Sequence, residues 1–208
     1  MMVKICGITS AVDLVEAASA GASAVGFNFH PASPRWISIK TATRLAGLTP
    51  AGVLKVGVFV NEPAERIAAT AREAGLDVVQ LHGACRAPAG FRVWQAVPVG
   101  PEFRAEDLAP IEAEAVLLDA PAESLYGGTG CTFDWSLAGG LGRRIILAGG
   151  LGPDNVGDAI RLVRPWGVDA CSRLESAPGK KDGARVREFV QAARDAAHAA
   201  GLADPAPE

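Results

Sequence analysis

Lys4 and Cys6 lie two residues apart in Lys4-Ile5-Cys6-Gly7-Ile8, near the start of the chain. Side chains alternate faces along a strand, so these two share one. A cation beside a thiol favours the thiolate, which accepts protons and attacks electrophiles. The same pattern also suits a small apolar residue in a core, the commoner fate of a free cysteine. Asp119 closes the apolar run Val116-Leu117-Leu118-Asp119. An aspartate there is either a turn or capping residue or an acid at the rim of a site.

Two glycine-rich stretches accompany these residues. Tyr126-Gly127-Gly128-Thr129-Gly130 follows the Asp119 strand and reads as a lid, a close approach to ligand or a plain loop. Leu147-Ala148-Gly149-Gly150-Leu151-Gly152-Pro153 ends another apolar run. Its glycines let backbone N–H groups approach an anion, with a helix N-terminus adding partial positive charge. Ser172-Arg173 ends the last run. Ser33-Pro34-Arg35 offers a guanidinium that can fork onto a carboxylate or remain solvated. Gln80 and His82 share a strand face, and a hydrogen-bonded barrel histidine is the simpler account of His82.

The elements that must position these residues are short apolar, β-branched runs. They span Val3 to Ile8, Ala24 to Phe29, Leu54 to Val60, Val78 to His82, Val93 to Val99, Ala115 to Asp119, Arg144 to Ala148 and Val168 to Cys171. Alanine-rich helical stretches separate most of them. In Val12 to Ala20, Val12, Val15 and Ala18, widened by Leu14 and Ala17, predict the buried stripe. Ser10 with Asp13 predicts a capping box. Asn61-Glu62-Pro63 predicts a second helix start, Gly152-Pro153-Asp154-Asn155 a third, and Ala184 to Ala200 the last helix.

About eight strands in 208 residues leave about 26 residues per unit, one βα repeat each. The alternation predicts a parallel sheet in the α/β class. A doubly wound open sheet would alternate likewise. Polar residues at the ends of many strands, and no G-x-G-x-x-G after the first, favour a closed (β/α)8 TIM barrel in a single domain over 1–201. Residues 202–208 are expected to fray. Chemistry in such a barrel sits at the C-terminal ends of the strands. That selects Cys6, His30, Asn61, His82, Asp119, Gly149-Gly150 and Ser172-Arg173. Cys171 is expected to pack in the wall or core, and Cys85 and Cys131 to lie in loops.

The chain carries 20 basic and 23 acidic residues and is 49% hydrophobic, so it can bury a sizeable core and has no global field for nucleic acid or anionic membrane. None of its four cysteines forms a C-x-x-C pair, and no H-x-H or H-E-x-x-H occurs, so no metal site is expected. No signal peptide or membrane-length apolar run is apparent, and a reducing cytoplasm is the expected compartment.

In combination these segments resemble the phosphoribosylanthranilate isomerase family, roughly over residues 3 to 195. The resemblance is carried by Lys4-Ile5-Cys6-Gly7-Ile8-Thr9, Gly26-Phe27 through Ser33-Pro34-Arg35, Val56 to Asn61, Gln80-Leu81-His82-Gly83, Leu118-Asp119 and Gly127-Gly128-Thr129-Gly130. It continues through Phe133-Asp134-Trp135, Ile146 to Leu151 and Glu175-Ser176-Ala177-Pro178-Gly179, all in the family's order. The resemblance implies an Amadori rearrangement of N-(5'-phosphoribosyl)anthranilate, a small phosphorylated substrate, without cofactor or metal. Asp119 matches the acid that protonates the furanose ring oxygen, and Cys6 the base that removes the C2' proton. Arg35 matches the arginine near the anthranilate carboxylate. Gly149, Gly150, Ser172 and Arg173 match the phosphate cradle. Lys4, Gln80, His82 and Gly128 stand as supporting residues. The chain is expected to be a monomer or homodimer.

Two positions depart from the family's pattern. Ser172-Arg173-Leu174-Glu175 stands where Ser-Gly-Val-Glu is usual, and Cys131 replaces a lysine after Gly-Gly-Thr-Gly. Arg173 either adds a charged phosphate contact or marks a rebuilt loop. The histidine-pathway Amadori isomerase resembles an aspartate–aspartate enzyme, and Cys6 argues against it. A phosphosugar-binding barrel without catalysis is disfavoured by the presence of both Cys6 and Asp119.

Overall fold

The structure, a computed structural model, describes residues 1–121 and 132–202. The Gly128 and Cys131 positions and the tail from 203 lie outside the described residues.

Eight parallel strands close into a barrel in the order β1 to β8, with β8 beside β1. They are β1 (Met2–Ile5), β2 (Ala24–Asn28), β3 (Leu54–Val60), β4 (Val78–His82), β5 (Arg92–Pro98), β6 (Ala115–Asp119), β7 (Ile145–Leu147) and β8 (Gly167–Ala170). Closure pairs Lys4 with Asp169 and Ile5 with Ala170. A short antiparallel hairpin, β9 (Glu175–Ala177) and β10 (Lys180–Lys181), follows β8.

Alternation divides the core in two. Met2, Ala24, Val56, Val78, Trp94, Ala96, Ala115, Leu117 and Ile146 fill the barrel interior. The opposite strand faces, among them Val3, Ile5, Val25, Phe27, Val79, Leu81, Val116 and Leu118, pack under the helices. The interior positions change character along the strands. Met2 is followed by Lys4 and Cys6, Val78 by Gln80 and His82, Leu117 by Asp119. Apolar groups therefore plug the N-terminal end of the barrel, and polar groups collect at the C-terminal end.

The helices are α1 (Ala11–Ala20), α2 (Ile39–Leu48), α3 (Ala64–Ala74), α4 (Val156–Val163) and α5 (Gly183–Ala199). Ser10 caps α1 as its type predicts, its hydroxyl accepting from Asp13 N at 3.1 Å. The buried side of α1 differs from the expected stripe. Val12 and Val15 are 68% and 57% exposed, while Asp13, Leu14 and Ala17 face the barrel. Ten residues with apolar groups all round do not define one face, and strand packing selects Leu14 and Ala17.

Asn61 does not cap α3. It takes a left-handed backbone, φ 52°, and its Oδ1 accepts from Ala84 N at 2.8 Å, tying two loops together. Pro63 is the N-cap. The crossings after β4 and β5 carry no α-helix. Gly83 to Phe91 forms turns and loop, and Ala105–Leu108 is a single 3-10 turn. These short crossings explain the small size of the repeat. α5 is long and amphipathic, burying Val186, Phe189, Val190, Ala193 and Ala197 against the barrel and its neighbours α1 and α4.

Candidate active site

Cys6 follows the last residue of β1, and its amide donates to Ala170 O of β8 at 2.9 Å. The strand register thus carries Cys6 to the mouth beside Cys171. A Cβ on Gly26 of β2 would lie 2.8 Å from Cys6 Sγ and 3.2 Å from Lys4 Cε, so glycine there makes room for both side chains.

Lys4 is wholly buried within the barrel. Its Nζ donates to Asp169 Oδ2 at 2.9 Å. Burial disfavours the ammonium, but Asp169 and Cys6 outweigh it and leave the Lys4 pKa raised. Burial pushes the Asp169 carboxyl up to about 7 against the pull of Lys4. Asp169 Oδ1 is buried and has no hydrogen-bond partner among the described residues. Lys4 is therefore the settled charge of this pair, and Asp169 the member close to neutralisation.

The Cys6 thiol lies well below its ordinary range. The largest cause is a hydrogen bond from Cys171, with Lys4 and Lys181 helping to overcome burial. Cys171 is driven the other way, up, by donating to Cys6 and by burial. The expectation that Cys171 packs in the wall or core is corrected here. β8 ends at Ala170, so Cys171 emerges at the mouth, where the closed register sets it beside Cys6.

Asp119 ends β6 on the interior face. Burial raises its pKa from 3.8 to about 6, assisted by Cys6 and opposed by a hydrogen bond from Ala120 N to Oδ1 at 2.9 Å. That bond is the turn role its sequence position suggested, and it coexists with a carboxyl aimed at the mouth. The site thus holds a thiol biased toward its ionised form and a carboxyl biased toward its protonated form. One can accept a proton while the other gives one.

The glycines after β7 adopt left-handed backbones, φ 78° at Gly149 and 60° at Gly150. A Cβ on Gly149 would come within 2.7 Å of Ala120 N and 3.1 Å of Asp119 Oδ1. Asn155 braces this loop, accepting from Gly152 N at 2.8 Å and donating to Gly150 O at 3.0 Å. Ser172 opens the 3-10 turn after β8. The Arg173 guanidinium donates to Gly150 O at 3.0 Å and to both Asp154 carboxylate oxygens at 2.8 Å. Arg173 therefore stitches the β7 and β8 loops together.

Arg35 points from the loop after β2 to Glu175. Its Nε and Nη2 donate to the two carboxylate oxygens, each at 2.8 Å. Lys181 donates to the same Oε1 at 2.9 Å. Both cations hold Glu175 below the usual carboxylate range in spite of burial. Gln80 and His82 hydrogen-bond to each other at 2.8 Å inside the barrel. Burial, with Lys4 and His30 nearby, lowers the His82 pKa to about 4, so the ring is neutral. That matches the hydrogen-bonded barrel histidine anticipated for it.

Asp169, Glu175 and Lys181 were not anticipated. Asp169 did leave a signal, a lone carboxylate in Val168-Asp169-Ala170 on the strand that must neighbour Lys4 on closure.

The family model for N-(5'-phosphoribosyl)anthranilate (PRA) isomerase matches residues 3–192. The chain belongs to this family. An N-(5'-phosphoribosyl)anthranilate isomerase of Solibacter usitatus is 50% identical over 199 residues, covering 94% of this chain and 98% of the relative. The crystal structure of phosphoribosyl anthranilate isomerase from Thermotoga maritima superposes with a TM-score of 0.85 at 41% identity, covering 94% of this chain and 99% of that one. A phosphoribosyl anthranilate isomerase solved with reduced 1-(o-carboxyphenylamino)-1-deoxyribulose 5-phosphate gives 0.81 at 39% identity, with the same two coverages, 94% and 99%. Membership places the chain among aldose–ketose isomerases, at the isomerisation step of tryptophan biosynthesis. Among the described residues, no helix is long and apolar enough to cross a membrane.

Proposed function

We propose that Asp119 and Cys6 are the acid and the base of the Amadori rearrangement of N-(5'-phosphoribosyl)anthranilate. The observation that carries this assignment is their opposite bias at one barrel mouth: Asp119 is raised to about 6 while Cys6 is lowered. Asp119 donates its proton to the furanose ring oxygen. The C1'–O bond breaks, and the nitrogen lone pair forms the C1'=N bond. Cys6 thiolate then removes the C2' proton. The released pair forms C1'=C2' as the C1'=N π electrons return to nitrogen. Tautomerisation of the resulting enol moves its hydroxyl proton to C1' and leaves the C2' ketone. Each step needs one proton donor or acceptor and a stable iminium, which the substrate itself supplies.

The phosphate is held by backbone N–H groups of Gly149, Gly150 and the Ser172–Arg173 turn, with α4 opening behind them. Arg173 braces the two loops through Gly150 and Asp154. Arg35, oriented by Glu175, presents its remaining N–H groups to the anthranilate carboxylate. Support for this substrate class comes from the related isomerase that was solved with a reduced deoxyribulose phosphate product. The working compartment is the cytoplasm, where the thiols stay reduced.

The test is the fluorescence of N-(5'-phosphoribosyl)anthranilate mixed with purified protein. Enzyme-dependent loss of the signal is expected, abolished by Cys6→Ala and strongly slowed by Asp119→Asn. Wild-type turnover in either variant overturns the assignment.

A further inference from the structure

Lys181 stands opposite Glu175 across the β9–β10 hairpin, and its side chain is 0% exposed. It cannot touch a substrate and acts only through what it holds. Its Nζ donates to Glu175 Oε1 at 2.9 Å and to Cys171 O at 3.2 Å, with Cys171 Sγ at 3.6 Å. Glu175 is shared between two cations. Its Oε1 accepts from Lys181 and from Arg35 Nε at 2.8 Å, and its Oε2 accepts from Arg35 Nη2 at 2.8 Å. The fork occupies the Nε–Nη2 edge of the guanidinium, so the Nη1 side points away from Glu175. The Glu175 side chain is 4% exposed and that of Arg35 11%, so water screens these charges poorly. The hairpin is anchored to the loops of the site. The Thr9 hydroxyl donates to Gly179 O at 2.5 Å, and a Cβ on Gly179 would come within 3.0 Å of Pro34 O, beside Arg35.

We propose that Lys181 is a positioning residue that sets specificity for the anthranilate carboxylate: its buried charge, shared on Glu175, leaves Arg35 with positive charge to offer a second carboxylate. The inference rests on the reading of Arg35 as the carboxylate ligand. Arg35 and Glu175 alone would form a neutral pair, which attracts another anion weakly. Two cations on one carboxylate leave a surplus of one positive charge where screening is poor. The Cys6 thiolate adds negative charge felt by both cations, and that charge goes when the sulfur takes the substrate proton. A substrate carboxylate on the Nη1 side of Arg35 meets the surplus directly. An uncharged phenyl ring in the same place gains nothing from it, so the effect of Lys181 is confined to ligands that carry the carboxylate.

The test is competitive inhibition by two compounds, made by reductive amination of ribose 5-phosphate with anthranilate or with aniline. They differ only in the carboxylate. The parent should prefer the anthranilate compound. Lys181→Met should weaken that compound about tenfold and leave the aniline compound within about twofold. Lys181→Gln keeps a donor to Glu175 without the charge. It should narrow the preference too, and it carries the test if the methionine variant does not fold. An unchanged preference in either variant overturns the inference, whether both compounds weaken together, as a purely structural role would give, or only turnover falls, as a role through Cys6 would give. Arg35→Met separates this inference from the reading beneath it. If Arg35→Met abolishes the preference and the Lys181 variants keep it, only the Lys181 inference falls. If Arg35→Met leaves the preference intact, the reading of Arg35 falls and the inference with it.

Discussion

Lys4 and Asp169 sit opposite each other on the first and last strands, and their side chains meet inside the barrel at 2.9 Å. The ion pair therefore lies across the seam that closes the sheet. It also sets charge beneath Cys6. Removing one partner leaves the other buried and uncompensated, which typically costs about 3–5 kcal/mol.

Lys4→Met should accordingly destabilise the fold by about that amount at alkaline pH, where Asp169 stays ionised. The loss should shrink as pH falls toward about 7, because without the pull of Lys4 the Asp169 pKa lies above its parent value and the carboxyl takes up a proton sooner. Lys4→Met combined with Asp169→Asn should recover much of the stability. Urea unfolding of the two single variants and the double variant measures the coupling. Additive single effects would show that the pair is not coupled.

Asp119→Asn should lose about 10²–10⁴ in kcat with the fold intact, the usual worth of a positioned general acid. It should also gain stability at pH 8. The Asp119 pKa rises from 3.8 unfolded to about 6 folded. Its contribution is therefore fully present below pH 4 and is lost as pH rises through about 6. Asparagine removes that cost of ionisation, roughly 1–2 kcal/mol for a partly exposed carboxyl. Thermal melts should show the variant ahead at pH 8 and level with the parent at pH 3.5 or so. Equal melting temperatures at both values would remove the burial argument.

Cys6→Ser should lose most activity, because a hydroxyl is a far weaker base than a thiolate at neutral pH. Alkylation of the parent should inactivate in step with labelling of Cys6, and a phosphate-bearing substrate analogue should slow both. Cys85→Ser should lose little. Cys85 Sγ accepts from Glu62 N, at 3.3 Å, in a loop. Full activity with Cys6 labelled would sink the base assignment.

Gly149→Ala should impair both binding and turnover. The added methyl meets Ala120 N at 2.7 Å and Asp119 Oδ1 at 3.1 Å, from a backbone with φ 78°. KM should rise about tenfold or more and kcat should fall as Asp119 is displaced. Arg173→Ala should act differently, weakening inhibition by inorganic phosphate severalfold through loss of the brace on Gly150, with kcat little changed. Unchanged phosphate inhibition would show that Arg173 neither contacts nor braces the site.

Glu175→Gln should raise KM for the substrate by loosening the Arg35 fork, since Arg35 Nε and Nη2 both donate to this carboxylate. The kcat value should change less. A larger fall in kcat than rise in KM would place Glu175 with the chemistry rather than with carboxylate binding.

Local chemistry made part of this molecule legible in its sequence. Strands ending in a polar residue, as at Cys6, His82 and Asp119, announce themselves because alternation and strand termination depend on a few neighbouring residues. The Ser10 cap is legible for the same reason. The eight apolar runs and their spacing foretold the parallel barrel, since repeated βα units leave few ways to bury both strand faces. Tertiary structure decided what depends on register between distant segments. Only closure of β8 on β1 brings Asp169 to Lys4, 165 residues away, and Cys171 to Cys6. Only the fold of the β9–β10 hairpin sets Glu175 and Lys181 against Arg35 and Cys171. The exposed side of α1 was likewise settled by packing, because Val12 and Leu14 are equally apolar until the barrel presents a surface to one of them. Burial then completed the site: desolvation raises Asp119, while Cys6 is lowered against desolvation by neighbours that converge only in the closed barrel.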